Sequence, residues 1–109
     1  VVREGVVGLL ERQKDLEVIG EAADGFEAIK QAETLHPDAV IMDVDMPGMN
    51  GIDATREIKR RGGETVVVGL SLHEEVSIRR AMVEAGADGY ISKQAPAKDL
   101  VAAIRHLCG

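Results

Sequence analysis

The sequence predicts an α/β domain in which a parallel β-sheet lies between two layers of helices. Short runs that are apolar on both faces alternate along the chain with longer segments whose apolar residues recur at helical spacing. Glycine, proline and capping residues separate these segments. Because strands that alternate with helices are joined by right-handed crossovers, we expect parallel strands and a three-layer α/β/α architecture.

Five segments have the apolar spacing of amphipathic helices, and we expect each group of apolar residues to share one helix face. In chain order the groups are Val2, Val6, Leu9 and Leu10; Phe26, Ile29, Ala32 and Leu35; Ile52, Thr55, Ile58 and Lys59, the weakest case; Ile78, Ala81, Met82 and Ala85; and Leu100, Ile104 and Leu107. The fourth and fifth helices are placed at 74–85 and 96–107.

Residues with special backbone preferences mark the helix boundaries. Asp24, with Glu27 three positions later, is typical of a cap at the start of the second helix. His36-Pro37 ends that helix, because the residue before proline avoids helical geometry. The other boundaries are marked by Gly62-Gly63, by Gly86 and, in the first turn of the last helix, by Pro96.

Four strands are predicted between the helices. Residues 39–42 and 66–70 are apolar on both faces, which is typical of strands in the interior of a parallel sheet. Residues 16–22 include Glu17 and Glu21, and residues 89–92 form a short run, so these two strands are placed nearer the edges. The chain opens at Val1 in a helical pattern, and we infer that a first strand of about 5–6 residues precedes it.

Composition and charge restrict the possible functions. A chain of 109 residues forms one domain, and its net charge of −6 argues against nucleic-acid binding by this domain alone. No apolar run reaches membrane-spanning length. Cys108 is the single cysteine, so the chain has no internal disulfide and a reducing cytoplasm is the expected location. Cys108 itself is interpreted as a small residue near the end of the chain.

Three chemically different side chains follow three strands at their carboxyl ends. Asp43 follows strand 39–42, Ser71 follows strand 66–70, and Lys93 follows strand 89–92. Each alone is unremarkable, since an aspartate there usually forms a turn and a lysine is usually solvated. Because ligands of open parallel sheets bind beyond the carboxyl strand ends, the three together predict one site.

The chemistry that these groups suggest is phosphoryl transfer to a carboxylate. Asp43 would act as the nucleophile and form an acyl phosphate, while Lys93 and Ser71 would contact phosphoryl oxygens. A hard divalent cation, Mg²⁺, would bind with Asp43 and the backbone carbonyl of Asp45. The turn at Pro47-Gly48 would leave the carboxylate accessible.

At this point the sequence resembles a known family. The segment VIMDVDMPGMNGIDATREIK resembles the phosphoacceptor segment of the receiver (CheY-like) domain of bacterial two-component response regulators. VVVGLSLHEE is similar to the family's fourth strand, with Ser71 at the switch hydroxyl position, and GADGYISK to its fifth, with Tyr90 at the switch aromatic position and Lys93 at the lysine position. VVREGVVGLLE, LEVIGEAADG and SLHEE are similar to the NarL/FixJ (LuxR-type) subfamily.

The resemblance implies a flavodoxin-like, doubly wound sheet of order 2-1-3-4-5, whose first strand is missing from the chain. In the family that strand ends in an acidic pair that holds Mg²⁺, so the pair would lie upstream of Val1. Asp45 and His73 occupy positions that tune the lifetime of the acyl phosphate. The implied partners are a sensor histidine kinase, a second copy of the protein after phosphorylation, and DNA only through a separate C-terminal domain.

The resemblance also implies how the domain signals. Phosphorylation of Asp43 would draw the hydroxyl of Ser71 toward the new group, and Tyr90 would turn into the space left behind. The surface formed by helix 74–85, strand 89–92 and helix 96–107 would then change shape.

Three other interpretations fit parts of the sequence. Residues 43–47 resemble the D-x-D-x-T loop of haloacid-dehalogenase-type phosphatases, but Pro47 stands in place of the threonine. An EF-hand calcium loop that starts at Asp43 requires a carboxylate where Ala54 stands. A pseudo-receiver, which binds proteins without being phosphorylated, is the alternative from the same fold. The presence of Asp43, Ser71 and Lys93 argues against it, whereas a true lack of the acidic pair would favour it.

Overall fold

The computed structural model describes residues 12–13, 20, 24–44, 51–62, 64–71 and 76–108. Their helices and strands confirm the predicted alternation from residue 25 onward. The first predicted helix and, apart from Gly20, the strand predicted at 16–22 lie outside the described residues. The described elements are α1 (Gly25–Leu35), β1 (Ala39–Asp43), α2 (Gly51–Gly62), β2 (Val66–Ser71), α3 (Val76–Glu84), β3 (Gly89–Ser92) and α4 (Ala97–Cys108).

The strands form a parallel sheet in the order β1-β2-β3. Asp43 pairs with Leu70 on β2, and Ser71 pairs with Ser92 on β3. The carboxyl ends of the described strands therefore lie side by side along one edge of the sheet. This order agrees with the last three strands of the predicted 2-1-3-4-5 arrangement.

Both faces of the sheet are covered, which confirms the three layers. One face packs against α1, α2 and α3, and the other against α4. The buried residues of the first cluster are Ala28, Ile29, Met42, Ala54, Ile58, Val67 and Met82, and those of the second are Val68, Leu70, Leu100 and Ile104. Consecutive residues Val67 and Val68 belong to opposite clusters, as expected for a strand whose two faces are both buried.

Helix α1 begins and ends as predicted. The Oδ1 atom of Asp24 accepts a hydrogen bond of 2.9 Å from the backbone N–H of Glu27. His36 takes the left-handed conformation with φ 48°, and its backbone N–H donates to the carbonyl oxygen of Ala32. After α3, Gly86 has φ 107°, which glycine adopts without strain.

The predicted apolar face of α1 was wrong at both ends. Phe26 is 63% exposed and Leu35 is 42% exposed, whereas Ala28 and Ile29 are buried and Ala32 packs against them. An α-helix has about 3.6 residues per turn, so side chains nine positions apart point to opposite sides. Phe26 and Leu35 therefore could not share a face, and the core face runs through Ala28, Ile29 and Ala32.

A hydrogen-bonded cluster fixes the amino-terminal edge of the sheet. The Oδ2 atom of Asp88 accepts hydrogen bonds from the backbone N–H of Val67 at 2.9 Å and from Nζ of Lys59 at 3.1 Å. The same ammonium group donates to the carbonyl oxygen of Thr65 at 2.9 Å. These hydrogen bonds connect the end of α2 to the starts of β2 and β3. Lys59 therefore makes polar contacts and does not belong to the apolar face of α2.

Candidate functional site

Two of the residues predicted to form the site are in direct contact. The Nζ atom of Lys93 lies 2.8 Å from Oδ1 of Asp43. Asp43 ends β1 and Lys93 follows β3, so the lysine side chain reaches across the end of β2. The side chain of Lys93 is 10% exposed and that of Asp43 is 36% exposed. The ammonium group is therefore enclosed, while the carboxylate is accessible to a reagent from solvent.

The backbone around this ion pair is held by the end of β2. The N–H of Lys93 donates a hydrogen bond of 2.8 Å to the carbonyl oxygen of Ser71, and the N–H of Val44 donates one of 3.0 Å to that of Leu70. After β3 the chain turns, with the N–H of Gln94 donating to Oγ of Ser92 at 3.1 Å. These bonds set the starting points of both charged side chains independently of their attraction for each other.

Ser71 lies between the two charged residues, as the last residue of β2. It is fully buried and is one of two polar residues in the buried set of the described chain, the other being Thr55 on α2. A buried hydroxyl is costly unless it is hydrogen-bonded, and among the described residues no buried side-chain nitrogen or oxygen atom lacks a hydrogen-bond partner. The structure brings Ser71 to the same strand-end edge as Asp43 and Lys93.

Tyr90 lies on β3 directly opposite Gly69. It is half-buried and packs against the cluster that contains Met82. The guanidinium carbon of Arg79, on α3, lies 5.9 Å from the centroid of the Tyr90 ring, within the range of a cation–π contact. The predicted switch aromatic is thus placed between the central strand and α3.

Gly51 is a site residue that sequence reasoning missed. A Cβ atom at this position would lie 2.8 Å from Cα of Val44 and 3.0 Å from the carbonyl oxygen of Asp43. Only glycine therefore allows α2 to start directly against the end of β1. The second glycine of the PGMNG stretch was the available signal, but sequence alone did not show that another backbone segment approaches it.

Charged groups on α2 form a separate network that links this helix to α1. The pKa of Glu57 is lowered to about 2 because Arg60 and Arg61 donate hydrogen bonds to its carboxylate. Arg61 also reaches Oε2 of Glu33 on α1, at 2.6 Å from its Nη1 atom. The network contributes to helix packing and contains none of the predicted site residues.

The described residues offer one carboxylate, Asp43, for a cation at the predicted site. Carboxylate oxygen is a ligand that Mg²⁺ prefers, so Asp43 suits the proposed ion. The described part of the chain holds no group of three or more His, Cys, Asp or Glu residues that could complete a metal site. Asp45 and His73 lie outside the described residues, so their predicted roles stay predictions.

The calcium-loop interpretation is contradicted by the local structure. Residues from Gly51 onward form helix α2, and Ala54 is fully buried in the first core cluster. A twelve-residue loop that starts at Asp43 would have to wrap around a cation in this region.

In the part of the chain that the structure describes, no helix is both long enough and apolar enough to cross a membrane.

Comparison with known proteins agrees with the architecture and identifies the family. Residues 1–105 match the family model of the response regulator receiver domain. The response regulator UvrY of Escherichia coli (strain K12) is 40% identical over 105 residues, which is 96% of this chain and 48% of UvrY. The chain thus spans about half the length of this relative.

Solved structures give the same result. A two-component response regulator of the LuxR family from Aurantimonas sp. SI85-9A1 superposes with a TM-score of 0.92 at 37% identity, over 97% of this chain and 76% of that one. The receiver domain of the sensor histidine kinase PA1611 from Pseudomonas aeruginosa PAO1 superposes with a TM-score of 0.81 at 26% identity, over 97% and 84% of the two chains. That structure contains a magnesium ion coordinated in its active-site cleft.

Proposed function

Because the chain belongs to the response regulator receiver family, we propose that Asp43 is the residue that accepts the phosphoryl group. The domain is a phosphoacceptor signalling domain of a two-component response regulator, of the kind found in LuxR-family proteins. The observation that supports Asp43 is its contact with Lys93, with 2.8 Å between Oδ1 and Nζ. An accessible carboxylate held next to an enclosed ammonium group is what transfer of an anionic group to an aspartate requires.

The proposed phosphoryl donor is a phosphohistidine of a sensor histidine kinase. A carboxylate oxygen of Asp43 attacks the phosphorus, a P–O bond forms, and the P–N bond to the imidazole breaks. The electron pair of the P–N bond stays on the imidazole nitrogen, which can take up a proton. Lys93 offsets negative charge on the phosphoryl oxygens, since positioning and charge neutralisation dominate such transfers. Water later hydrolyses the acyl phosphate and resets the domain.

Mg²⁺ is the proposed cofactor, with Asp43 and the backbone carbonyl of Asp45 as ligands in this chain. The other ligands would be the acidic pair that the family resemblance places upstream of Val1. When bound, the ion would neutralise phosphoryl oxygens that Lys93 and Ser71 do not reach.

The signalling step that we propose involves Ser71 and Tyr90. The Ser71 hydroxyl donates a hydrogen bond to the phosphoryl group, and Tyr90 turns inward into the space that Ser71 leaves. The surface formed by α3, β3 and α4 then changes shape, since a charged modification shifts a two-state equilibrium. We propose that this surface, in the cytoplasm, controls dimerisation and a separate DNA-binding domain.

The test is whether the full-length protein takes up a phosphoryl group from acetyl phosphate or from a phosphorylated kinase. Uptake is detected by the change in electrophoretic mobility of the phosphorylated protein. Asp43→Asn should abolish incorporation. Asp53→Asn is the matched control, because Asp53 is an exposed aspartate on α2 that pairs with Arg56. Incorporation into Asp43→Asn at the wild-type level would contradict the proposal. A wild-type protein that takes up no phosphoryl group would favour the pseudo-receiver alternative.

A further inference from the structure

Gly69 is an unusual residue for its place in the fold. It lies in the interior of β2, the central strand of the described sheet, and follows the valine run of VVVGL. Glycine weakens the interior of a strand and often marks a close approach by another group. Gly69 is buried and pairs with Met42 on one side and Tyr90 on the other. Its φ is not positive, so backbone conformation does not require glycine here.

The space that a side chain at position 69 would fill is occupied by two other side chains. A Cβ atom there would lie 2.7 Å from Cε of Met82 and 3.1 Å from Cδ1 of Tyr90. The first distance is too short for a real contact, and the second is tight. The missing side chain therefore leaves a notch in the face of the sheet, and the end of Met82 and one edge of the Tyr90 ring share it.

The two occupants differ in how easily they can leave. Met82 is fully buried, and its sulfur lies 4.0 Å from the hydroxyl of Thr55, which is also fully buried. Tyr90 is half-buried on the edge strand of the described sheet, where its ring contacts Arg79. The flexible end of Met82 can shift only within the enclosed core, and the new Cβ atom would still lie 3.1 Å from Cδ1 of the rigid Tyr90 ring. A larger residue at position 69 would therefore also push the ring toward solvent.

We propose that Gly69 is a positioning residue for Tyr90, whose missing side chain provides the space that lets the ring take its inward position. This inference rests on the proposed switching role of Tyr90. It goes beyond that role because it assigns the position of the ring to a residue outside the phosphoryl site. Gly69→Ala would hold the ring outward whatever the state of Asp43.

The experiment measures the exposure of Tyr90 by acrylamide quenching of tyrosine emission. Tyr90 is the only tyrosine of the chain, which has no tryptophan. The full-length protein is used, and subtraction of the Tyr90→Phe emission isolates the signal. Gly69→Ala should raise the quenching constant of the unphosphorylated protein and remove its change with beryllofluoride. Thermal unfolding is recorded in parallel, because a purely structural effect would lower stability without a specific change at Tyr90.

Gly89→Ala is the matched control. Gly89 precedes Tyr90 on β3, but a Cβ atom there would face Cδ1 of Leu107 at 3.2 Å and Val68, on the opposite side of the sheet. The proposal is overturned if Gly69→Ala quenches like wild type, or if both alanine variants raise quenching equally. If Gly69→Ala does not fold, the proposal is tested with Met82→Leu instead. This shorter side chain widens the notch and should lower quenching, and no change would overturn the proposal.

The design separates failure of this inference from failure of the proposed function. Exposure of Tyr90 in the unphosphorylated protein does not depend on Asp43, so it tests Gly69 alone. Phosphoryl incorporation is measured on the same samples, and Gly69→Ala should retain it. If the emission of Tyr90 in the wild-type protein did not change with beryllofluoride, the proposed switching role of Tyr90 would be contradicted. The comparison of quenching between Gly69→Ala and wild type would still test the role of Gly69.

Discussion

The backbone N–H of Lys93 donates a hydrogen bond of 2.8 Å to the carbonyl oxygen of Ser71. The two residues follow neighbouring strands, and this bond continues the ladder between β2 and β3 past the last paired residues, Ser71 and Ser92. The lysine side chain therefore starts from a fixed point at the strand edge and extends across β2 to Asp43. The geometry of the candidate site is thus a property of the sheet, and single side chains can be changed without losing it.

Replacing the lysine should impair phosphorylation more than stability. We expect Lys93→Gln to slow phosphoryl incorporation from acetyl phosphate by about 10²-fold, comparable to the loss of one preorganised charge-stabilising donor. The backbone bond to Ser71 would remain, so the unfolding midpoint should change little. Lys98→Gln, at an exposed position of α4, is the control and should behave as wild type. A normal rate for Lys93→Gln would contradict the role of the ion pair.

Removing the Ser71 hydroxyl should separate phosphorylation from signalling. Ser71→Ala keeps Asp43 and Lys93, so it should still take up a phosphoryl group. The emission of Tyr90 should then respond less to beryllofluoride than in wild type, because the hydroxyl that links the two changes is missing. Ser77→Ala, at an exposed position of α3, serves as the control. A full Tyr90 response in Ser71→Ala would argue against Ser71 as the link.

The Asp88 cluster should stabilise the fold without affecting the chemistry. Asp88→Ala removes the acceptor for Val67 and Lys59 and should lower the free energy of unfolding by about 1–3 kcal/mol, the usual cost of leaving such groups unpaired. Urea denaturation measures this change. Asp53→Ala, whose ion pair with Arg56 is exposed, should cost less. Equal effects of the two variants would show that the Asp88 cluster adds nothing specific.

The Glu57 network predicts the direction in which the stability of the fold changes with pH. The carboxyl pKa of Glu57 falls from 4.5 to about 2 on folding, because Arg60 and Arg61 donate to the ionised form. A lowered pKa in the folded state stabilises the protein above pH 4.5, and this contribution is lost as the pH falls toward 2.

The stability difference between wild type and Glu57→Gln tests that sign. Measured by urea denaturation at several pH values, the difference should be largest near neutral pH and should shrink below pH 4.5. Added salt should also reduce it, because the pairs lie at the surface. A difference that grows as the pH falls would contradict the prediction.

Sequence reasoning succeeded where local pattern determines structure. The run VVV at 66–68 and the acid after AVIM were enough to place β2, the end of β1 and the edge at which Asp43 and Lys93 meet. It failed at Phe26 and Leu35, which were assigned to one helix face because they belong to a series of apolar residues three positions apart. Each step of three positions falls short of a full turn, so the side chains of such a series lie progressively further around the helix.

Other features were missed because they depend on contacts between distant parts of the chain. Gly51 is required by the backbone of Val44, Gly69 faces Met82 and Tyr90, and Asp88 binds Lys59 on helix α2. Sequence shows that a glycine or an aspartate is present, but not which group approaches it.

The most direct test of the central claim is chemical identification of the phosphorylated residue. The protein is phosphorylated, treated with borohydride to reduce the acyl phosphate to an alcohol, digested and examined by mass spectrometry. We expect homoserine in place of aspartate at position 43, and no such product in Asp43→Asn. Homoserine at Asp45 or another carboxylate, with Asp43 unmodified, would contradict it.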